Sequence, residues 1–199
     1  MPRNPVAQRI LDEAIRVIES GGESAIRLRD LVSETGIALA TIYKYFENRE
    51  GLIDSAYAEM YLRSAVVVFG DFRTAVAKVT TAREFADLLV YFFRRQAHAD
   101  AASRRATRMT VLGSCATRPG LAAKVAEMNR EFADLFVTTL GPAKERGWIK
   151  PRYDLRTLAI WFLGAINDRG PFDVSPSDWN IDQMNSIIED TILSLLVLD

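Results

Sequence analysis

Two short helix-forming segments joined by a single glycine constrain this chain more than any other feature of its sequence. The first segment starts at Leu28 and carries Val32 on its apolar side, and the second covers about residues 38–45. Gly36 lies between them and permits the positive φ that a tight turn between two helices requires. This spacing is that of a helix-turn-helix, in which Ile42 holds the second helix against the first.

The outer face of the second helix carries side chains whose exposure to solvent a purely structural role does not explain. Exposed tyrosines beside a lysine are unusual on a short structural helix, because aromatic rings are normally buried. A helix with such a face can enter the major groove of DNA while the preceding helix crosses the backbone. A three-helix bundle without a nucleic-acid role is the alternative. The residues of this face are Leu39, Ala40, Thr41, Tyr43, Lys44 and Tyr45.

The run Thr-Ile-Tyr-Lys-Tyr-Phe-Glu-Asn-Arg-Glu-Gly-Leu at 41–52 resembles the signature of the TetR family of transcriptional regulators. In that signature, Thr-Leu-Tyr-x-His/Tyr-Phe precedes a small polar residue, a basic residue and Leu. The upstream triplets Arg-Asp-Leu and Thr-Gly-Ile also match, and the resemblance covers about residues 5–52. It implies an all-α fold, with an N-terminal three-helix helix-turn-helix DNA-binding head, residues 1–48, on a larger helical ligand-sensing and dimerisation domain, residues 49–199.

The resemblance also implies individual roles on DNA. Thr41 would reach a base edge or a thymine methyl, and Tyr45 would meet either a phosphate or a base. Leu39 and Ala40 would make only apolar contacts, for example with thymine methyls. The implied phosphate contacts are Arg27, Arg29, Tyr43, Lys44 and Arg49.

Two departures from the family pattern bear on this interpretation. Ile26 and Ala38 stand where family members often carry Thr and Ser, so two hydroxyls that could cap a helix or bind phosphate are missing. Residues 1–52 hold seven Lys and Arg against eight Asp and Glu, so any DNA contact must come from local geometry. The second helix has no Arg, Asn or Gln for bidentate base reading. We therefore expect modest base specificity, with more dependence on phosphate contacts and DNA shape.

A helical period runs through the rest of the chain and predicts no strand. Thr81 and Glu84 fit a capping box, and Asn48 and Asp154 are predicted to cap the helices that follow them. Gly141-Pro142 is expected to kink or split the helix that contains it. Helices are predicted over about residues 3–19, 28–35, 38–45, 49–69, from 82, 101–114, 121–146, 155–167 and 178–198, with a loop or short helix at 70–80 and a loop at 170–176.

Two C-terminal segments are more apolar than one core face needs, and they predict a homodimer. Residues 158–166 are apolar all round, so both sides of that helix must be covered. The last helix has a similarly wide apolar face, and two such helices from each subunit would make a two-fold, four-helix interface, as in TetR-like proteins. A buried pair inside one subunit is the alternative. The candidate interface residues are Leu158, Trp161, Phe162, Ala165, Ile188, Ile192 and Leu195.

Aromatic and Met side chains of the body are expected mostly in the core, but some could line a cavity for a small, largely apolar effector. The candidate lining residues are Tyr57, Met60, Tyr61, Tyr91, Phe92, Met109, Met128 and Phe132. Arg104, Arg105 and Arg108 are interpreted as a solvated face. The alternative is that one of them anchors an anionic group of a ligand.

Several chemistries find no support in the sequence. There is no phosphate-cradling glycine loop, no paired set of metal ligands and no nucleophile–base pair, so we expect neither an enzyme nor a metal or other cofactor. The single histidine, His98, is placed at a helix end, and the single cysteine, Cys115, is interpreted as a small buried group. No apolar run reaches the roughly 18 to 20 residues that span a bilayer, and no apolar signal core is present, so a cytoplasmic protein is expected.

The expected function is a ligand-responsive DNA-binding transcriptional regulator. By family default it is a repressor that binds a palindromic operator as a homodimer and is released by a small molecule. One alternative is an enzyme. Another is an interaction protein that keeps the fold but has lost DNA binding, and Ile26, Ala38 and the acidic balance of the head give this alternative some weight.

Overall fold

The chain is built from helices. The computed structural model describes residues 4–167, 169–174 and 180–198. A short 3-10 turn, Glu23–Ala25, joins the first two helices. The predicted all-α fold is confirmed. The helices of the described residues are α1 Pro5–Gly21, α2 Leu28–Thr35, α3 Leu39–Phe46, α4 Arg49–Val76, α5 Ala82–Ala97, α6 Ala102–Ser114, α7 Pro119–Glu145, α8 Leu155–Asn167, α9 Gly170–Asp173 and α10 Ile181–Ser194.

Side-chain caps fix the starts of three of these helices, as predicted. Asn48 Oδ1 accepts from Gly51 N at 2.8 Å at the start of α4. Thr81 Oγ1 accepts from Glu84 N at 3.2 Å, and the Glu84 carboxylate accepts from Thr81 N at 3.3 Å, which completes a capping box on α5. Asp154 Oδ2 accepts from Thr157 N at 2.7 Å before α8. Each cap satisfies a backbone donor that the first turn of a helix leaves unpaired.

Two helices continue through residues that were expected to interrupt or end them. α4 continues past Gly70 to Val76 instead of ending near residue 69. The buried Phe72 and Val76 pack into the core, and this burial outweighs the low helix propensity of one glycine. α7 contains Pro142 and is not split there. The proline lies in the last turns, where it removes one backbone hydrogen bond, while its neighbour Ala143 is buried in the core.

The C-terminal region also differs from the prediction. Part of the expected loop at 170–176 forms the short helix α9, and residues 175–179 lie outside the described part of the chain. α10 ends at Ser194, four residues earlier than predicted. The chain then turns to form an isolated antiparallel bridge between Ile149 and Leu196, with Val197 N donating to Trp148 O at 2.9 Å. Both bridge residues are buried, and their packing in the core stabilises a non-helical conformation after Ser194.

The chain divides into two compact units. The first comprises Met1–Arg63 with Thr110–Val125, and the second comprises Ser64–Met109 with Ala126–Asp199. α4, α6 and α7 each contribute to both units. The domain boundary at residue 48 stays a prediction. Among the described residues, no helix combines the length and apolarity that crossing a membrane needs.

Candidate nucleic-acid interface

The turn between α2 and α3 has the geometry of a helix-turn-helix. Gly36 ends α2 in the left-handed conformation, with φ 69°, as predicted for this position. Thr35 Oγ1 donates to Leu31 O at 2.6 Å and accepts from Ile37 N at 3.3 Å. Arg9 on α1 donates to Thr35 O at 2.8 Å, so the end of α2 is tied to the first helix. Together these bonds fix the angle at which α3 leaves the turn.

The face of α3 predicted to meet DNA lies at the surface. Ile42 and Phe46 are buried and hold the other face of the helix. Tyr43 is 45% exposed, and Lys44 is also exposed. Within the described parts of the chain, neither Tyr43 nor Lys44 nor Arg29 makes a side-chain hydrogen bond or ion pair to protein. Of the remaining candidates, Leu39 and Ala40 are exposed, and Thr41 and Tyr45 are half-buried.

The starts of both helices lack side-chain caps, in keeping with the missing hydroxyls. Ala38 precedes α3 and Arg27 precedes α2, and neither side chain caps its helix. Backbone amides in such first turns can bind a phosphate together with the positive end of the helix dipole. Arg27 donates to the carbonyls of Ser24 and Ile26. Arg27 is thus drawn toward the segment that precedes α2.

Arg49 binds acceptors within the protein, a role that the resemblance to the TetR family does not imply. Its Nε donates to Ile26 O at 3.1 Å, its Nη2 donates to Glu23 O at 2.7 Å, and its Nη1 donates to the Glu50 carboxylate at 2.6 Å. All three guanidinium nitrogens are therefore engaged with protein acceptors. In this state Arg49 positions the segment before α2, and its contact with phosphate stays a prediction.

Arg118, at the start of α7, is the centre of an ion-pair cluster that sequence reasoning missed. It donates to Asp54 at 2.7 Å, to the Glu50 carboxylate at 2.8 Å and to Glu23 at 3.3 Å. The Arg118 and Asp54 side chains are only 12% and 13% exposed, so this pair is largely shielded from water. Partial burial would raise the pKa of Glu50, but the hydrogen bonds from Arg118 and Arg49 outweigh it and lower that pKa. Arg118 and Arg49 thus both bind Glu23 in the 3-10 turn.

The turn between α3 and α4 is unusually tight. Glu47 has φ 65°, a left-handed value that residues with side chains rarely adopt. Asn48 N donates to Phe46 O at 2.7 Å across it. A Cβ at Gly51 would overlap the Phe46 carbonyl oxygen, so only glycine fits at this point. No local sequence pattern predicts this close approach of Gly51 to the Phe46 carbonyl.

A family comparison decides what this surface belongs to. Residues 10–56, which contain α1, α2, α3 and the start of α4, match the model of bacterial regulatory proteins of the tetR family. The match covers the N-terminal quarter of the chain and shows a TetR-type segment there. The predicted resemblance to DNA-binding transcriptional regulators of the TetR family is confirmed over this segment. No curated protein matches the chain.

Solved structures share the fold of this chain over nearly its whole length. A TetR-family transcriptional regulator from Cytophaga hutchinsonii is 16% identical, with a TM-score of 0.68 and all of both chains covered. The regulator FadR from Bacillus subtilis, in complex with stearoyl-CoA, is 20% identical, with a TM-score of 0.60 and 94% and 97% covered. A protein from Saccharomonospora viridis, in complex with choline, is 19% identical, with a TM-score of 0.63 and 99% and 100% covered.

The candidate pocket residues of the chain are spread over both units and differ in exposure. Tyr57, Met60 and Tyr61 are buried in the first unit. In the second unit, Phe92 packs on Phe72 and Phe132 packs on Phe69, with ring centroids 4.8 Å and 5.1 Å apart. Met128 is half-buried, and Tyr91 and Met109 are exposed. Which of these residues meet a ligand stays a prediction.

The candidate interface residues divide in a similar way. Four of them are buried in the chain's own core: Leu158, Ala165, Ile192 and Leu195. Trp161, Phe162 and Ile188 are half-buried and pack against that core. Large apolar side chains that the prediction did not name lie outward, with Ile160 on α8 52% exposed and Ile187 on α10 57% exposed.

Three smaller predictions are also settled. Arg105 and Arg108 are buried, so the interpretation of a solvated face is wrong for these two residues. His98 ends α5, as predicted, and its Nδ1 lies 3.2 Å from Asp100. Cys115 is half-buried, and burial and Asp54 raise the pKa of its thiol. Among the described residues, no group of His, Cys, Asp and Glu could hold a metal ion.

Proposed function

We propose that this chain is a repressor that binds a palindromic operator as a homodimer and is released by a small molecule. The observation that carries the proposal is the exposed face of α3, where Tyr43 and Lys44 make no side-chain bond to protein within the described residues. In this proposal, Tyr43 and Lys44 bind phosphates and Thr41 reaches a base edge. Such a protein acts where the DNA is, so we place it in the cytoplasm.

Homodimerisation would bring two α3 helices to one operator. The proposed interface uses the outer faces of α8 and α10, where Ile160 and Ile187 are exposed beside the half-buried Trp161 and Ile188. Gly164 is exposed on α8 and would allow two helices to approach closely. Two recognition helices about one turn of DNA apart, roughly 34 Å, would then meet two half-sites on one face of the duplex.

The second unit supports a ligand-sensing role. Its core contains a chain of aromatic rings in which Phe69, Phe72, Phe92 and Phe132 contact one another in pairs. Structures with this fold hold choline and stearoyl-CoA, so we propose that this chain also binds a small molecule in its body. α4 belongs to both units and would transmit the change. Coupling of about 1–3 kcal/mol between the two sites is typical of such switches.

Electrophoretic mobility with the DNA upstream of the chain's own gene tests the proposal. We expect a shifted band whose stoichiometry is two chains per duplex, and loss of half of an inverted repeat should abolish it. A protein that keeps the fold but has lost DNA binding would leave all fragments unshifted, and this result would overturn the proposal. A shift with one chain per duplex would overturn its homodimeric part.

A further inference from the structure

Buried arginines lie together in the second unit. Arg105 is fully buried and Arg169 is only 8% exposed. Arg105 binds both oxygens of Asp173 at 2.6 and 2.7 Å and donates to His98 O at 3.1 Å. Arg108, one turn further along α6, is also buried and donates to Asn167 at 2.8 Å. The chain thus places three buried arginines near Asn167 and Asp173.

Among the residues that the structure describes, Arg169 makes no ion pair. Asp173 is fully engaged by Arg105, and Arg169 donates to a neutral group, Asn185 Oδ1, at 2.7 Å. Asp173 and Asp182 attract Arg169, while Arg105 repels it, and burial together with Arg105 lowers the pKa of Arg169. A buried charge without an ionic partner costs free energy, and proteins rarely keep one without a use.

Hydrogen-bond donors in the same region are also unused. Among the described residues, the buried Nε of Arg169 and the buried Nε2 of Gln96 have no hydrogen-bond partner. Gln96 is only 5% exposed, and its backbone carbonyl oxygen accepts from Arg105, so Gln96 lies beside the same cluster. Buried donors without an acceptor point to a group that is missing from the free protein. Arginine and amide donors together suit a carboxylate or a phosphate.

We propose that Arg169 and Gln96, supported by Arg105 and Arg108, bind an anionic group of the effector. This inference rests on the proposed ligand-sensing function and narrows it: the effector carries a carboxylate or a phosphate beside an apolar part. Arg105 is a positioning residue, because Asp173 already takes both of its donor arms. Arg169 supplies the charge, and Gln96 supplies a neutral donor.

Calorimetric titration of the full-length protein, without DNA, tests the proposal with four probes that share a six-carbon tail. Hexanoate and hexyl phosphate carry the anion, and hexanol and hexyltrimethylammonium are the neutral and cationic controls, all at one ionic strength. We expect at least one anion to bind about 10-fold or more tightly than hexanol. Which anion binds more tightly separates a carboxylate effector from a phosphate effector. Equal affinity for all four probes, or no binding of either anion, would overturn the proposal.

Substitutions test whether the arginine cluster causes the tighter binding of anions. Arg169→Met should weaken anion binding about 10-fold or more, and Arg169→Lys should retain most of it. Arg83→Met, on the exposed arginine of α5, is the matched control and should bind like the wild type. Because Arg169→Met removes a buried charge that makes no ion pair with the described residues, its urea midpoint should equal or exceed that of the wild type without ligand. A lower midpoint together with unchanged anion binding would mark a structural role only.

Gln96→Leu provides a second route should Arg169→Met fail to fold. It leaves every charge in place and should still weaken anion binding measurably, and unchanged binding would count against the proposal.

Failure of the proposed function would give different results from failure of this site. An anion that binds the free protein but leaves DNA binding unaltered would contradict ligand release and not this site. Release of DNA by an uncharged compound alone, with no anion bound, would contradict this site and not the repressor.

Discussion

The two compact units of this chain use arginine in opposite ways. In the first unit, Arg49 and Arg118 bind carbonyl and carboxylate groups in and beside the 3-10 turn that precedes α2. In the second unit, Arg105 and Arg169 are hidden in the interior. The first arrangement supports a surface that we propose meets a large polyanion, DNA. The second arrangement holds positive charge in the interior, where we propose that it meets one anionic group of the effector.

The largest expected effect concerns the exposed face of α3. Tyr43→Ala with Lys44→Ala removes two proposed phosphate contacts from each head without touching the buried side of the helix. Because each charged hydrogen bond contributes about 1.5 kcal/mol or more, affinity for operator DNA should fall by at least about 100-fold. Fluorescence anisotropy at fixed salt measures it. Lys78→Ala, an exposed lysine of the second unit, is the control, and equal affinity of both proteins would contradict the contact assignment.

A smaller effect is expected at the cluster that supports this face. Arg118→Ala leaves Asp54, which is 13% exposed, without its cation. Since Glu50 and Glu23 are partly exposed, we expect a loss of about 2–3 kcal/mol in unfolding free energy rather than the larger cost of a fully buried pair. Urea unfolding provides the measurement. Arg130→Ala, whose side chain is 60% exposed beside Glu127, should change stability little, and equal losses in both variants would refute a central role for Arg118.

In the second unit, the ion pair between Arg105 and Asp173 should lose its stabilising effect in acid. The hydrogen bonds from Arg105, opposed by partial burial, lower the pKa of Asp173. A lowered pKa in the folded state means that the ion pair stabilises the protein above the unfolded pKa of about 3.9 and loses this effect as pH falls through the folded value. Asp173→Asn should therefore cost about 1–2 kcal/mol near neutral pH and progressively less in acid. Urea midpoints from pH 7 to pH 2.5 test this, and a difference that persists in acid would contradict it.

The smallest effect is expected at a feature that has no part in binding. Thr81→Ala removes the capping box of α5 and should cost about 1 kcal/mol of unfolding free energy. Thr138→Ala, at an exposed position within α7, is the matched control and should be neutral or slightly stabilising, because alanine favours a helix interior. Equal urea midpoints for the two variants would show that the cap contributes nothing.

Local patterns predicted what depends on neighbours in sequence. The glycine turn at Gly36, the capping box at Thr81 and the exposed face around Tyr43 all follow from residues a few positions apart. The same reasoning failed at Arg105, whose burial depends on Asp173, 68 residues away. It also missed Arg118, which binds Asp54 and Glu23 across 64 and 95 residues. Such pairs are set by the packing of helices, and nothing in a helical period encodes them.

A hydroxyl-radical footprint of the wild-type protein on its upstream DNA tests the central claim most directly. If α3 from each of two subunits lies in the major groove, two protected patches will lie on one face of the duplex about 10 base pairs apart. Both patches should disappear together in the Tyr43→Ala, Lys44→Ala variant. A single patch, protection spread evenly around the duplex, or a footprint that survives the double substitution would contradict the claim.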